Sequence, residues 1–374
     1  MLDETTLETT NPLGTLRSLH AKRFTVFGDE TFQFSDGLNV LVGENGTGKT
    51  HLLKLAYAST KILYPEKAGR PVGDDELPIA LTKKLLNVFL PDGIGRLRRH
   101  VGPGKPGTAK VRLTFANGGR STKQLAFEIA ANAEKAAITK APTDRPASPI
   151  GGPVYLPTRE VVSLVPDIVS DYERTSIQFE ETYYDLAKLL IARPLRGPRK
   201  AGIDTLLRPL EQAMGGRLEA DPRGRLYLNF DGGGKIEAPL VSEGYRKLAT
   251  LAYLIQNGSL ALHGSLFWDE PEANLNPRLM GPLADTLVQL AADGVQIFIA
   301  THSLFMMREI QLRLDRSKAD GPAIPVRYFS LLRKDGGIVV EAADDVDDLS
   351  MIAVLEAALA QDDAMEHRYW ESRA

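Results

Sequence analysis

No cysteine occurs among the 374 residues, which excludes disulfides, thiolate metal sites and cysteine nucleophiles. Long apolar runs are missing too: none approaches the roughly 18 residues a membrane span requires. Neither charge sign dominates, because 45 Lys and Arg stand against 48 Asp and Glu for a net charge of −3. That balance gives no global signal for nucleic-acid or membrane binding, although a local basic patch is compatible with it. The opening Met1-Leu2-Asp3-Glu4-Thr5 is acidic and polar, unlike a secretory signal, so a cytoplasmic protein without a membrane partner is expected. Sustained heptads are absent, which argues against a pair of long coiled-coil arms. What the chain has is apolar content: 43% hydrophobic residues, enough to bury a substantial core in one large domain or two.

Residues 43 to 50, Gly-Glu-Asn-Gly-Thr-Gly-Lys-Thr, match the phosphate-loop pattern G-x-x-x-x-G-K-[ST] at every specified position. Leu38 to Val42 reads as a buried strand before it, and His51 to Tyr57 has apolar residues at helical spacing after it. Strand, glycine turn and helix start together make an anion site, where backbone N–H groups converge and the helix dipole adds positive potential. Gly43, Asn45, Gly46, Thr47, Gly48, Lys49, Thr50 and His51 are the candidate nucleotide-binding residues. Lys49 is expected on the β- and γ-phosphates and the Thr50 hydroxyl on Mg²⁺.

A second motif lies far downstream. Leu266-Phe267-Trp268-Asp269-Glu270 is an apolar strand ending in two carboxylates. Asp269 is the candidate Mg²⁺ ligand with Thr50, and Glu270 is placed to orient or deprotonate a water. Val295 to Ser303 reads as another buried strand, ending in Thr301-His302-Ser303, and His302 there can hydrogen-bond a γ-phosphate or the attacking water. Between loop and second motif, Val241-Ser242-Glu243-Gly244-Tyr245-Arg246-Lys247 opens a helix, with Ser242 as its N-cap.

The order of these four pieces resembles the ABC-type ATPases, and most of all their soluble branch of SMC proteins, RecF and the OLD-family ATPases. Residues 16 to 24 and 34 to 40 look like that branch's N-terminal strands. The resemblance spans roughly residues 15 to 60 and 236 to 305. It implies an α/β fold: an ATPase head with a mixed β-sheet core, N-terminal antiparallel strands and an inserted helical lid. It also implies ATP and Mg²⁺ as cofactors, catalysis by Glu270, His302 and Lys49, and a homodimer closed around ATP. Ser242 and Gly244 would then cap the γ-phosphate held by the other subunit. The segment Asn274 to Asn276 would stand in the dimer-facing loop, where the family normally carries an aspartate. Tyr245-Arg246-Lys247 departs from the family's Gly-Gln or Gly-Glu continuation; Arg246 or Lys247 would touch the trans phosphate or lie on a solvated helix face.

The expected division is an N-terminal ATPase lobe (15–160), a helical lid (161–235), a C-terminal lobe (236–340) and a C-terminal helix (341–374). Ala80 to Phe89 reads as a helix, Lys110 to Phe115 and Gln124 to Ile129 as strands, and Asn132 to Pro149 as a loop. Two basic, proline-interrupted stretches, Pro91 to Lys110 and Ile191 to Lys200, either track a nucleic-acid backbone or are solvated surface; neither carries the interleaved aromatics of a single-strand platform. Val154 to Leu156 is a strand leading into Pro157-Thr158-Arg159-Glu160, where Arg159 or Glu160 either senses nucleotide or forms an ion pair at a domain junction. Tyr328 to Leu332 and Gly337 to Glu341 read as a hairpin, and Leu349 to Ala360 as a final helix. Acidic pairs near the C-terminus lack the strand-helix framework of a TOPRIM nuclease. The functional expectation is therefore an ATPase that controls a separate nuclease or toxin in anti-phage defence. A RecF-like DNA-repair factor is the alternative, and a transporter subunit fits least.

Overall fold

The computed structural model describes residues 13–99, 107–116, 122–165, 168–169, 172, 179–192, 201–221, 225–260, 264–334, 337–350, 359–365 and 368. The chain begins with β1 (Thr15–Phe24), β2 (Phe27–Gln33) and β3 (Leu38–Gly43), followed by α1 (Lys49–Lys61) and α2 (Leu77–Phe89). Next come β4 (Ala109–Ala116), β5 (Thr122–Ile129), β6 (Ala137–Lys140) and β7 (Val154–Leu156). Helices α3 (Glu181–Ile191) and α4 (Ala201–Met214) precede a small sheet of β8 (Gly216–Ala220), β9 (Leu226–Phe230) and β10 (Gly234–Glu237). The remainder is α5 (Glu243–Gln256), β11 (Ser265–Asp269), α6 (Pro277–Ala292), β12 (Gln296–Thr301), α7 (Leu304–Asp320), β13 (Val326–Lys334) and β14 (Gly337–Ala343).

Three sheets result. The central one has the order β14-β13-β3-β12-β11-β7, parallel throughout except for the β13–β14 hairpin at one edge. A five-stranded antiparallel sheet, β2-β1-β4-β5-β6, holds the N-terminal strands, and β10-β9-β8 forms the third. Strand β3 is buried from Leu38 to Val42, as a strand covered on both faces must be, and its one polar side chain there, Asn39, donates to the carbonyls of Ser35 (3.0 Å) and Ile297 (3.3 Å). Leu38, Val40 and Val42 feed a core shared with α3 to α7, whereas Leu41 feeds the opposite core with α1, α2 and the antiparallel sheet.

Two devices weld the antiparallel sheet to the central one. The buried Gln296 amide mimics a strand neighbour: it accepts from Leu16 N–H at 2.9 Å and donates to Leu16 C=O at 2.9 Å. Phe34 packs edge-on against Phe298 and Phe329, with ring centroids 5.0 and 5.5 Å apart, and such pairs contribute about 0.5–1.5 kcal/mol each beyond burial.

Several sequence expectations need amendment. The segment 132–149, read as a loop, contains β6, whose Ile138 pairs with Phe127 of β5 and extends that sheet by one strand. The lid is not wholly helical, because β8 to β10 follow α4 and share its core. In the first basic stretch, Arg99 N–H donates to Arg23 C=O at 2.8 Å and Thr25 N–H to Leu97 C=O at 2.7 Å, so its start is pinned to the β1–β2 turn. Residues 100–106 of that stretch, 193–200 of the second and 351–358 of the expected final helix lie outside the described residues; 359–365 are helical.

Candidate active site

In the central sheet, β3, β12 and β11 end side by side, with Val42 opposite Thr301 and Asp269 opposite Ala300. Chain order reverses there: β3 has β13 on one side and β12 on the other, and ligands of open parallel sheets bind at such carboxyl-end crevices. The glycines between β3 and α1 are forced by geometry. Gly43, Gly46 and Gly48 all have positive φ, at 150°, 78° and 99°. A Cβ on Gly43 would stand 2.2 Å from Leu331 O, and one on Gly48 2.5 Å from Val26 Cγ2. The loop is thereby clamped between β13 and the β1–β2 turn, with the free N–H groups of the first turn of α1 at its mouth.

Thr47 closes the loop by donating to Glu44 C=O at 2.8 Å, while Asn45 is exposed at its tip. Lys49 is 6% exposed and donates to the carbonyls of Gly43 (2.6 Å) and Glu44 (2.9 Å). Burial holds its ammonium below the usual lysine range, against the opposing pull of Glu270 and Asp269. The His51 side chain turns away toward Phe89 of α2, with ring centroids 5.6 Å apart, and burial lowers its pKa; its side chain is a packing group here.

Thr50 and Asp269, 219 residues apart, meet directly: Thr50 Oγ1 donates to Asp269 Oδ2 at 2.9 Å and is 3.1 Å from Oδ1. Burial pushes the Asp269 carboxyl up to about 6, although the Thr50 hydroxyl opposes the shift. Glu270 follows with φ 50°, a left-handed conformation rare outside glycine, and its N–H donates to Ala300 C=O at 2.8 Å. Its Oε1 lies 3.2 Å from His302 Nδ1, so Glu270 and His302 form one unit. Strain of this kind, roughly 1–3 kcal/mol, concentrates where a side chain must be aimed.

Three residues gain roles that the sequence reading did not assign. Glu272 is 7% exposed; its Oε1 accepts from the Thr301 hydroxyl at 2.6 Å and from His302 N–H at 3.3 Å. It fixes the backbone on which the His302 side chain pivots. Arg246 pairs with Glu160 at 2.7 Å, and Lys247 is 3% exposed, donating to the carbonyls of Ala273 (2.8 Å) and Glu270 (3.2 Å). Neither cation lies on a solvated helix face, and both bind their own chain. Of the two readings offered for Glu160, the ion pair is the one found, with Arg246 as its partner.

Ser242 is the N-cap of α5 by position, exposed, and its hydroxyl makes no capping hydrogen bond. Gly244 is buried, and a Cβ there would come within 3.1 Å of Asn274 O. Asn274 has φ 61°, and Asn276 caps α6 by accepting from Arg278 N–H at 3.0 Å.

Residues 162–308 match the family model described as "AAA domain, putative AbiEii toxin, Type IV TA system", and residues 18–144 match one described as "AAA domain". The fold is similar to an SMC head solved with the C-winged helix domain of ScpA: TM-score 0.54 at 14% identity, covering 90% of this chain and 99% of that one. It is similar also to an SMC head with an extended coiled coil, bound to the C-terminal domain of ScpA derived from Pyrococcus furiosus. There the TM-score is 0.52 at 14% identity, with 94% and 99% covered. The chain folds as an SMC-like ABC-type ATPase. No curated protein matches it in sequence.

The residues of this chain suit the groups that such a fold implies. Three positive-φ glycines, a buried lysine and a helix N-terminus form an anion cradle. Mg²⁺ is usually held by one or two carboxylates together with phosphates and water, and the Thr50–Asp269 pair is such a partial donor set. Among the described residues no group of three or more His, Asp or Glu offers an all-protein cage, nor is any helix long and apolar enough to cross a membrane.

Proposed function

We propose that the chain is a Mg²⁺-dependent ATPase that closes as a homodimer around ATP and hydrolyses it through Glu270. Through that cycle it controls a separate effector, a nuclease or toxin, in cytoplasmic anti-phage defence. The observation that carries the ATPase reading is the meeting of two pairs, Thr50 with Asp269 and Glu270 with His302, at the mouth of one glycine cradle. Lys49 and the first N–H groups of α1 bind the phosphates. Thr50 and Asp269 would hold Mg²⁺, which would supply charge neutralisation on those phosphates. Glu270 takes the proton of the attacking water, and His302, 3.2 Å away, orients that carboxylate. Ser242, exposed and free of capping, would offer its hydroxyl and the α5 N-terminus to the nucleotide of a second copy, where they would stabilise developing negative charge.

Effector control draws support from the matched family model, whose description names a toxin and a toxin–antitoxin system. Two solved heads of similar fold are bound to domains of a separate protein, ScpA, which supports reading this fold as one able to dock a partner. Nucleotide-driven closure would supply the two states that an effector reads.

The experiment has two stages. Wild-type protein should release phosphate from ATP with Mg²⁺, Lys49→Ala should lose nucleotide binding, and Glu270→Gln should retain ATP without turnover. Wild-type rates from Glu270→Gln would refute the base assignment. The Glu270→Gln protein, loaded with ATP, then serves as bait in its native host. A stoichiometric nuclease or toxin supports effector control, and DNA without such a protein moves the assignment to RecF-like repair.

A further inference from the structure

The first turns of α5 face two ways. At the N-terminus Ser242 is exposed, with its hydroxyl uncommitted within the chain. One turn later Lys247 points inward, grips the carbonyls of Glu270 and Ala273, and is almost wholly buried. Burying an ammonium costs several kcal/mol, and burial does lower the Lys247 pKa, while Glu243, Glu272, Glu270 and Asp269 pull the other way. Two carbonyl acceptors are a poor return for that cost unless the segment they belong to must be held. This segment must be: residues 270 and 274 are both non-glycine with positive φ, and the first carries the candidate base. Gly244 touches the same segment, where a Cβ would crowd Asn274 O. Helix α5 and the loop 270–275 are therefore joined at two points on one helix face, and a shift of one displaces the other.

We propose that Lys247 is a positioning residue that makes docking of α5 on a nucleotide and orientation of the Glu270 carboxylate one event. The inference rests on the ATP-dimer reading above and deepens it. In the dimer, Ser242 of one copy meets the nucleotide in the partner's cradle, and Lys247 of that same copy holds the backbone of its own Glu270. Nucleotide at one site thereby sets the carboxylate at the other. The two sites are coupled through about one helical turn of α5, with no longer pathway needed.

Lys247→Met removes the ammonium at similar length, and Lys247→Arg restores charge and donors. Relative to wild type, Lys247→Met is expected to lower kcat roughly tenfold or more, with nucleotide affinity and ATP-dependent dimerisation within about twofold. Lys247→Arg recovers part of the rate. A second readout needs no turnover. In Glu270→Gln protein, ATP-driven closure should slow hydrogen exchange of the amides of residues 270 and 272–274. In Glu270→Gln/Lys247→Met the dimer should still form while those amides exchange as they do without nucleotide. Equal protection in the two proteins, or an undiminished kcat for Lys247→Met, overturns the proposal. So does loss of dimerisation or nucleotide binding that Lys247→Arg fails to restore, because Lys247 would then be a packing residue. A wild-type protein that closes on ATP with Lys247-dependent protection, yet never releases phosphate, would refute the hydrolysis reading and leave the positioning role supported.

Discussion

Arg246 Nε lies 2.7 Å from Glu160 Oε1, with the two side chains only 15% and 6% exposed. The pair joins helix α5 to the turn that leaves β7, the strand beside β11. Glu160 is held in turn by the Ser163 hydroxyl at 2.9 Å, and Arg246 also donates to the Val241 carbonyl just before Ser242. The elbow at 157–160 is thus tied to the start of α5 by a charge pair.

Removing one partner of a buried ion pair strands the other. Arg246→Met and Glu160→Gln should each destabilise the protein by about 3–5 kcal/mol. The double variant should lose no more than the worse single one. Denaturant unfolding of all four proteins checks this; additive losses would show that the two groups act independently.

Asp269 makes the metal-free protein pH-sensitive. Its folded pKa of about 6 lies above the ordinary 3.8, so the folded state binds the extra proton between those values. Stability from this group is accordingly greatest at low pH and falls as pH rises from about 4 to 6, by roughly 3 kcal/mol in all. Asp269→Asn removes that dependence. With chelator present, the melting temperature of Asp269→Asn minus that of wild type should grow as pH rises from 4 to 7. A constant difference would show that the carboxylate is not held up by burial.

Glu272→Ala leaves the Thr301 hydroxyl and the His302 N–H without their acceptor. A stability loss of about 1–3 kcal/mol is expected. The kinetic loss should fall on kcat, with KM nearly unchanged, because the Glu272 carboxylate is spent on the Thr301 hydroxyl and the His302 N–H. Steady-state ATP hydrolysis separates the two, and a purely KM effect would place Glu272 in nucleotide binding.

Ser242→Arg places a long side chain at the exposed start of α5. ATP-dependent dimerisation, followed by sedimentation with and without nucleotide, should disappear while each subunit still binds ATP. A variant that still dimerises with ATP would remove Ser242 from the dimer contact.

The phosphate loop was legible because its constraint is local. Eight consecutive residues carry it, and the positive φ of Gly43, Gly46 and Gly48 can be anticipated from residue type alone. Asp269, Glu270 and His302 were legible for a related reason: each follows a short apolar run, and such runs end at the same edge of a parallel sheet. The small sheet β8 to β10 was not, because alternation over four or five residues within a helical stretch is too short to outweigh the surrounding pattern. For His51 the sequence could not separate side chain from backbone: its ring packs on Phe89, which leaves its first-turn N–H as the group that a phosphate could meet.

The sequence by itself determined the cradle, the strand-end carboxylates and the helix start at Ser242, since each depends on neighbours a few residues away. Only the tertiary structure decided which distant groups meet. Thr50 reaches Asp269 because the sheet sets β3 one strand away from β11, with β12 between them. Lys247 and Arg246 look alike as adjacent cations, yet α5 packs so that one grips the Glu270 loop and the other finds Glu160. A buried charge takes whatever partner the fold brings within about 3 Å, and the order in which strands cross, unlike helix or turn propensity, is set by the whole chain.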